Sequence, residues 1–182
     1  MTVCRRALLL PFALLLSFCC VACSRPAPRY FAYLDTPAAV QLSGKLGDVD
    51  FTAHLTSGGR AEVEGALPLG CDFSLTYHSP EALAGIQVDY AAATGEITVS
   101  LGGLAARGER REGAYSALAA PGLLLLTESA VHNTTVQSDG TYLVVTADGA
   151  RRLLSADGVP ISLTQTADGR RVEVEIASFE GK

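Results

Sequence analysis

The chain has 182 residues, 48% of them hydrophobic, and a formal net charge of −5, a length that suits one domain. Two of its 14 basic residues and none of its 19 acidic ones precede Cys23, so the remainder carries 12 minus 19, or −7. An acidic surface argues against nucleic acid as a partner and against electrostatic attachment to anionic headgroups.

The first 22 residues read as an export signal. Arg5 and Arg6 are basic, Ala7 to Phe18 is apolar, and Val21-Ala22 supplies small residues ahead of Cys23. The apolar run is too short for an ordinary membrane-spanning helix, which needs roughly 20 residues. Val21-Ala22-Cys23 resembles a bacterial lipoprotein signal, which implies that Cys23 is the lipid anchor and the mature N-terminus. Two acyl chains on that residue would hold the protein at the membrane, at about 0.8 kcal/mol per buried methylene. Residues 23–37, with Pro26, Pro28 and Pro37, read as the lipidated Cys and a tether on which Tyr30, Phe31 and Tyr33 touch the domain. Residues 38–182 form that domain.

Of five cysteines, Cys4, Cys19 and Cys20 leave with the signal and Cys23 carries lipid, so Cys71 alone remains in the folded part. That excludes an intrachain disulfide and a multi-Cys metal site. Cys71 reads as a small buried hydrophobe.

From Ala38 onward the dominant period is two. Val40 and Leu42 alternate with polar neighbours, and a turn follows at Leu46-Gly47-Asp48. Val49, Phe51, Ala53 and Leu55 then oppose Asp50, Thr52 and His54. This is the pattern of a sheet with one buried face. After a turn at Ser57 to Arg60, Ala61 to Leu67 reads as a short strand. Phe73, Leu75 and Tyr77 share the next buried face, and Ser79-Pro80-Glu81 starts a short helical turn reaching Gly85. Ile86, Val88 and Tyr90 pair with Ile97, Val99 and Leu101 across Ala93-Thr94-Gly95.

Gly102 to Glu112 reads as a surface loop, and Glu112 to Val131 breaks the strand rhythm into one or two short helices interrupted by Pro121-Gly122. Leu123 to Leu126 is apolar on every side and is either helix or buried strand, since so short a run has no readable period. From Val131 to Phe179, four Asp-Gly pairs (Asp139-Gly140, Asp148-Gly149, Asp157-Gly158, Asp168-Gly169) separate strand-length segments. Asp-Gly between apolar runs predicts tight two-residue hairpin turns, and hence an up-and-down meander. Its last strand carries Val172, Val174 and Ile176 inward and Arg171, Glu173 and Glu175 outward. The expected fold is mainly β. It is a curved antiparallel sheet, an unclosed half-barrel of roughly eight to eleven strands, with one to three short helices as a lid.

No catalytic constellation can be assembled, so the protein is expected not to be an enzyme and to need no cofactor. Gly-x-Ser-x-Gly, His-Glu-x-x-His and phosphate-loop patterns are all missing. His54, His78 and His132 have no metal-like spacing. Glu173 with Glu175 and Glu62 with Glu64 read as solvated strand faces, and Arg151-Arg152 and Arg170-Arg171 as solubilising hairpin ends. What remains is an apolar lining, Phe51, Leu55, Phe73, Leu75, Ile97, Val99, Val172 and Val174, on the concave face. It is either a filled core or the wall of a hydrophobic cavity.

Several short segments carry a family likeness: Pro80-Glu81 with Leu83 and Gly85-Ile86, the hairpin of Gly95, Ile97 and Val99, and Asp157-Gly158-Val159-Pro160-Ile161 leading into the strand from Val172 to Phe179. In these the chain resembles the lipoprotein-carrier (LolA-like) superfamily, particularly its lipidated Gram-positive members, which include germination lipoproteins. The likeness covers most of Ala38 to Phe179. It implies an unclosed half-barrel lidded by short helices that binds lipid or acylated protein in its apolar interior. The short, interrupted helical section departs from that family. The resulting expectation is an extracytoplasmic lipoprotein held to the cell membrane by its acyl anchor. Its partner is a hydrophobic ligand or, acting as a structural or regulatory protein, another envelope protein.

Overall fold

The computed structural model describes residues 29–60, 70–109, 113–167 and 169–181. The expected export signal, Cys23 and the strand expected over Ala61 to Leu67 lie outside the described residues. A single 3-10 turn, Ala32–Leu34, precedes the first strand. The strands are β1 (Ala38–Leu46), β2 (Val49–Arg60), β3 (Cys71–Ser79), β4 (Gln87–Ala91), β5 (Glu96–Leu101) and β6 (Leu104–Glu109). After helix α1 (Gly113–Leu126) come β7 (Val131–Val136), β8 (Tyr142–Thr146), β9 (Arg151–Leu154), β10 (Pro160–Ala167) and β11 (Arg170–Gly181).

All of these strands join one antiparallel sheet in the order β6-β5-β4-β3-β2-β1-β11-β10-β9-β8-β7. Strands consecutive in the chain are neighbours in the sheet with one exception: β6 and β7 are its two edges. Helix α1 is the connection between them. It therefore has to cross the face of the curved sheet, where it touches β3 to β6 on one side and β10 and β11 on the other. The first and last strands pair in the middle, Val40 opposite Phe179 and Leu46 opposite Val172. The result is an unclosed half-barrel with one helix laid along its inside.

Alternation sets which side chains face α1. One lateral row runs Val40, Leu55, Leu75, Val88, Val99 through directly paired positions of β1 to β5. A second runs Val144, Arg152, Leu163, Val174, Gly44, Phe51 from β8 to β2. Phe51 and Val174 flank Gly44 in this row. Gly44 has no side chain because the backbone of β11 leaves no room: a Cβ there would lie 1.9 Å from the Glu173 carbonyl oxygen.

The fourth Asp-Gly turn keeps the expected two-residue spacing, with Ala167 opposite Arg170, but the other three are one residue longer. In each of these, the glycine amide donates to the residue three positions back: Gly140 to Gln137, Gly149 to Thr146, and Gly158 to Ser155, at 2.9–3.0 Å. Only the glycine takes positive φ (80° to 87°). This is a type I turn closed by a left-handed residue, the usual three-residue hairpin loop. The aspartate selects it by accepting the amide two residues on, as Asp139 does from Thr141 at 2.9 Å and Asp148 from Ala150 at 3.2 Å.

Two other expectations change. The stretch from Gly102 is a hairpin: Gly102 and Gly103, both at positive φ, make the turn, and Leu104–Glu109 pairs with β5. The short turn expected from Ser79 to Gly85 starts instead at Pro80, whose carbonyl accepts the Leu83 and Ala84 amides at 2.8 and 2.9 Å, because Ser79 continues β3 opposite Thr52. Leu123 to Leu126 is helical, and α1 is one helix through Pro121. Proline costs the helix one amide donor, a loss offset here by burial.

Candidate functional site

The eight lining residues come together. Phe51, Leu55, Phe73, Leu75, Ile97, Val172 and Val174 are buried, Val99 is half-buried, and all belong to one apolar cluster that continues into α1. Phe51 stacks edge-on against Tyr77 with ring centroids 5.7 Å apart, and Phe73 tilts against Tyr90 at 5.2 Å. Burying an aliphatic or aromatic side chain of this size is worth about 1.5–3 kcal/mol.

Helix α1 occupies the hollow of the sheet. The four leucines from Leu123 to Leu126 are buried whatever direction they point, because the sheet lies on one side and the segment Phe31 to Leu34 on the other. A helix without a polar face is stable only when enclosed in this way. Gly122 permits the closest approach: a Cβ there would sit 2.4–2.9 Å from the Phe73 ring. Gly70 does the same at the helix end, where a Cβ would lie 2.6 Å from the Leu126 carbonyl oxygen.

Polar groups fasten the helix by its carbonyls. The Tyr77 hydroxyl donates to the Leu118 carbonyl at 2.7 Å. At the C-terminal end the Tyr33 hydroxyl donates to the Leu125 carbonyl at 2.9 Å. Arg152 donates through Nη1 to the Tyr33 hydroxyl (2.9 Å) and the Leu125 carbonyl (3.3 Å), and through Nη2 to the Thr127 carbonyl (2.8 Å). The last carbonyls of any helix lack intrahelical partners and carry its negative end. A cation there satisfies both requirements.

Arg152 corrects the reading of Arg151-Arg152 as a solubilising pair. Arg151 is exposed, whereas Arg152 is 1% exposed and sits between Val144 and Leu163 in the inner row. Its Nε has no hydrogen-bond partner, and among the described residues no carboxylate forms an ion pair with it. The Phe31 ring lies 5.1 Å from the guanidinium carbon, within cation–π range. Burial pushes the Tyr33 phenol above its ordinary pKa and Arg152 partly offsets this, so the hydroxyl stays protonated and able to donate. Sequence reasoning missed Arg152 because the four residues of β9 (Arg-Arg-Leu-Leu) show no readable period.

The segment before β1 is fixed in the same region. Arg60 pairs with Asp35 at 3.2 Å and with Glu128 at 2.7 Å, linking the end of β2 to the chain on both sides of the helix terminus. Cys71 is a free, buried thiol that donates to the Leu34 carbonyl at 3.4 Å, and burial raises its pKa to about 11. Of the stretch read as a tether, Phe31, Tyr33 and Leu34 are thus members of the core.

Elsewhere, an open groove of 450 Å³ lies along β2 to β5, lined by Thr56, Asp72, Ser74, Asp89, Tyr90 and Thr98. It is open to solvent, and Phe73, Tyr90 and Ala91 share its lining with the polar side chains. Among the described residues no three His, Cys, Asp or Glu side chains gather where they could hold a metal ion. No described helix is long and apolar enough to cross a membrane.

No protein-family model matches the chain, and no curated protein matches it. Solved structures of similar fold include an uncharacterized conserved protein from Thermus thermophilus, at 14% identity and TM-score 0.49 over 85% of this chain and 83% of that one. A candidate outer membrane lipoprotein-sorting protein domain from Vibrio parahaemolyticus is similar at 11% identity and TM-score 0.46, covering 81% of this chain and 86% of that one. A LolA superfamily protein from Nitrosomonas europaea is similar at 9% identity and TM-score 0.40, covering 82% and 87%.

Proposed function

We propose that this protein is an extracytoplasmic, non-enzymatic lipoprotein, anchored through Cys23, that holds a lipid or other hydrophobic group between the concave sheet face and α1. One observation carries the reading. The concave face and the helix lying on it are both apolar, and the helix is held at its middle and its C-terminal end by a few hydrogen bonds to its carbonyls. Lifting α1 alone exposes two apolar surfaces at about 25 cal/mol per Å². An acyl chain entering the vacated space restores that burial, so opening becomes favourable only with a hydrophobic ligand present. The lining residues Phe51, Leu55, Phe73, Leu75, Ile97, Val99, Val172 and Val174 form the wall the chain would lie on.

Organic extraction of the purified full chain followed by mass spectrometry tests this. Co-purified lipid is expected with the native protein and with Phe73→Leu, and not with Phe73→Asp. An extract free of lipid from a folded protein overturns the reading.

A second reading is favoured by the sheet edges. The unpaired side of β6 carries Leu104, 80% exposed, and β7 carries Val136, 63% exposed. Unprotected edges of this kind can take another strand. On this reading the protein is a structural or regulatory envelope protein, of the germination or sporulation type for example, that docks a partner there. Stoichiometric capture of one envelope protein from cells, lost with Leu104→Asp and indifferent to Phe73→Asp, would favour it.

A further inference from the structure

The interior holds a charge that packing does not require. Arg152 lies in the row Val144, Arg152, Leu163, Val174, Gly44, Phe51, where every other member is apolar. A leucine or methionine would fill the place without the desolvation cost of a cation. The acceptors that compensate the guanidinium all belong to the elements covering the sheet: the Leu125 and Thr127 carbonyls at the end of α1 and the Tyr33 hydroxyl before β1. The sheet itself offers none, and Nε is already without a partner.

We infer that Arg152 is the headgroup site for an anionic amphiphile, so that the hydrophobic ligand carries a carboxylate or phosphate at one end. This rests on the proposed binding of a hydrophobic chain under α1. When the helix end lifts, Arg152 loses the Leu125 and Thr127 carbonyls and is left facing apolar Val144 and Leu163. A planar guanidinium presents paired N–H donors that match the two oxygens of a carboxylate or phosphate, and charge-assisted bonds of that kind are the strong ones. Nε, idle in the closed state, becomes the second donor of such a fork. A neutral headgroup would leave the cation buried and uncompensated.

Length and shape agree. From Arg152 to Phe51 the row crosses four strand spacings, about 19 Å, the scale of a long extended acyl chain. The negative outer surface, −7 after Cys23, does not oppose this, since the site is one internal cation shielded from solvent.

The test is a headgroup series at constant chain length, read by native mass spectrometry of the full chain released from non-ionic detergent. The probes are palmitate, palmitoyl lysophosphatidate, hexadecanol and hexadecyltrimethylammonium. One or both anions should bind roughly tenfold or more tightly than the alcohol, the difference between a charged and a neutral hydrogen-bonded head, and the cation should bind most weakly. Preference for palmitate assigns a fatty acid, and preference for the lysophosphatidate a phospholipid head. Arg152→Gln should bring anions and alcohol to equal affinity, whatever the shift in chain binding common to both, and Arg152→Lys should restore part of the preference. Equal binding of anion and alcohol to the native chain overturns the inference and leaves chain binding standing. So does a preference that survives Arg152→Gln. Failure of every probe to bind removes the chain-binding reading and the inference with it. If Arg152→Gln does not fold, the native headgroup series decides alone.

Discussion

Arg152 and Tyr33 meet at 2.9 Å from positions 119 residues apart, and both donate to the same backbone oxygen, that of Leu125. Three parts of the chain converge on that oxygen: the segment ahead of the sheet, a strand near one edge, and the end of the helix that bridges the edges. The contact is where the placing of the helix against the sheet is most specifically defined.

Replacing Arg152 should separate its polar role from its volume. Arg152→Ala removes donors from two carbonyls and opens a cavity, and should cost about 2–4 kcal/mol in urea denaturation. Arg152→Met refills the space and removes a buried unpaired charge, so its cost should be smaller, about 1 kcal/mol or less. In both, the amides of Leu125 to Glu128 should exchange with deuterium faster than those of β2 and β3. Equal protection of the two regions would show that the contact does not hold the helix end.

Tyr33→Phe keeps the ring and removes the hydroxyl that donates to Leu125 and accepts from Arg152. The loss should be about 1–2 kcal/mol. In a double-mutant cycle with Arg152→Met the two effects should be non-additive, because they share an acceptor. Strict additivity would mean the two side chains fasten the helix independently.

Cys71 gives the protein an alkaline limit. Its thiol has a folded pKa of about 11 against an ordinary 9.0, through burial. The unfolded chain therefore loses this proton first, and the folded state loses stability as pH rises from about 9 through 11. Integrated over the interval this amounts to about 2–3 kcal/mol. Tyr33 and Tyr77, both raised by burial, continue the decline above pH 10. Cys71→Ala should flatten the curve between pH 9 and 10 and leave the tyrosine part. Denaturation midpoints measured at half-unit pH intervals would show whether it does.

Gly122→Ala tests the contact between helix and sheet. In a free helix the change is worth about 1 kcal/mol in favour of alanine. Here the new methyl would meet the Phe73 ring at 2.4–2.9 Å, and overpacking of a filled core costs about 1–3 kcal/mol. The variant should be less stable than the native protein by thermal denaturation, and Phe73→Leu in the same chain should recover part of the loss. A more stable Gly122→Ala would mean that α1 does not lie against Phe73.

Local chemistry was legible in the sequence wherever the chain repeats a short pattern. The alternation of Phe51, Ala53 and Leu55, of Phe73, Leu75 and Tyr77, and of Val172 and Val174 gave three strands and their buried faces. The Asp-Gly pairs marked every hairpin of the C-terminal part, although the carboxylate-to-amide bonds of Asp139 and Asp148, in loops one residue longer than expected, are a matter of side-chain geometry. Strand β6 escaped because an edge strand with both faces exposed leaves no alternation to read.

Tertiary structure decided the rest. Nothing in Leu123 to Leu126 chooses helix over strand; enclosure between the sheet and Phe31 to Leu34 does. Pairing β1 with β11 leaves β6 and β7 as distant edges, and the segment joining them has to span the concave face. Arg152 then faces inward because a four-residue strand takes its register from Val144 and Leu163 on either side. Period and turn residues act over a few positions and were written in the chain. Register between strands far apart, the placing of one helix across eleven strands and the burial of one arginine depend on which surfaces meet, and only folding brings them together.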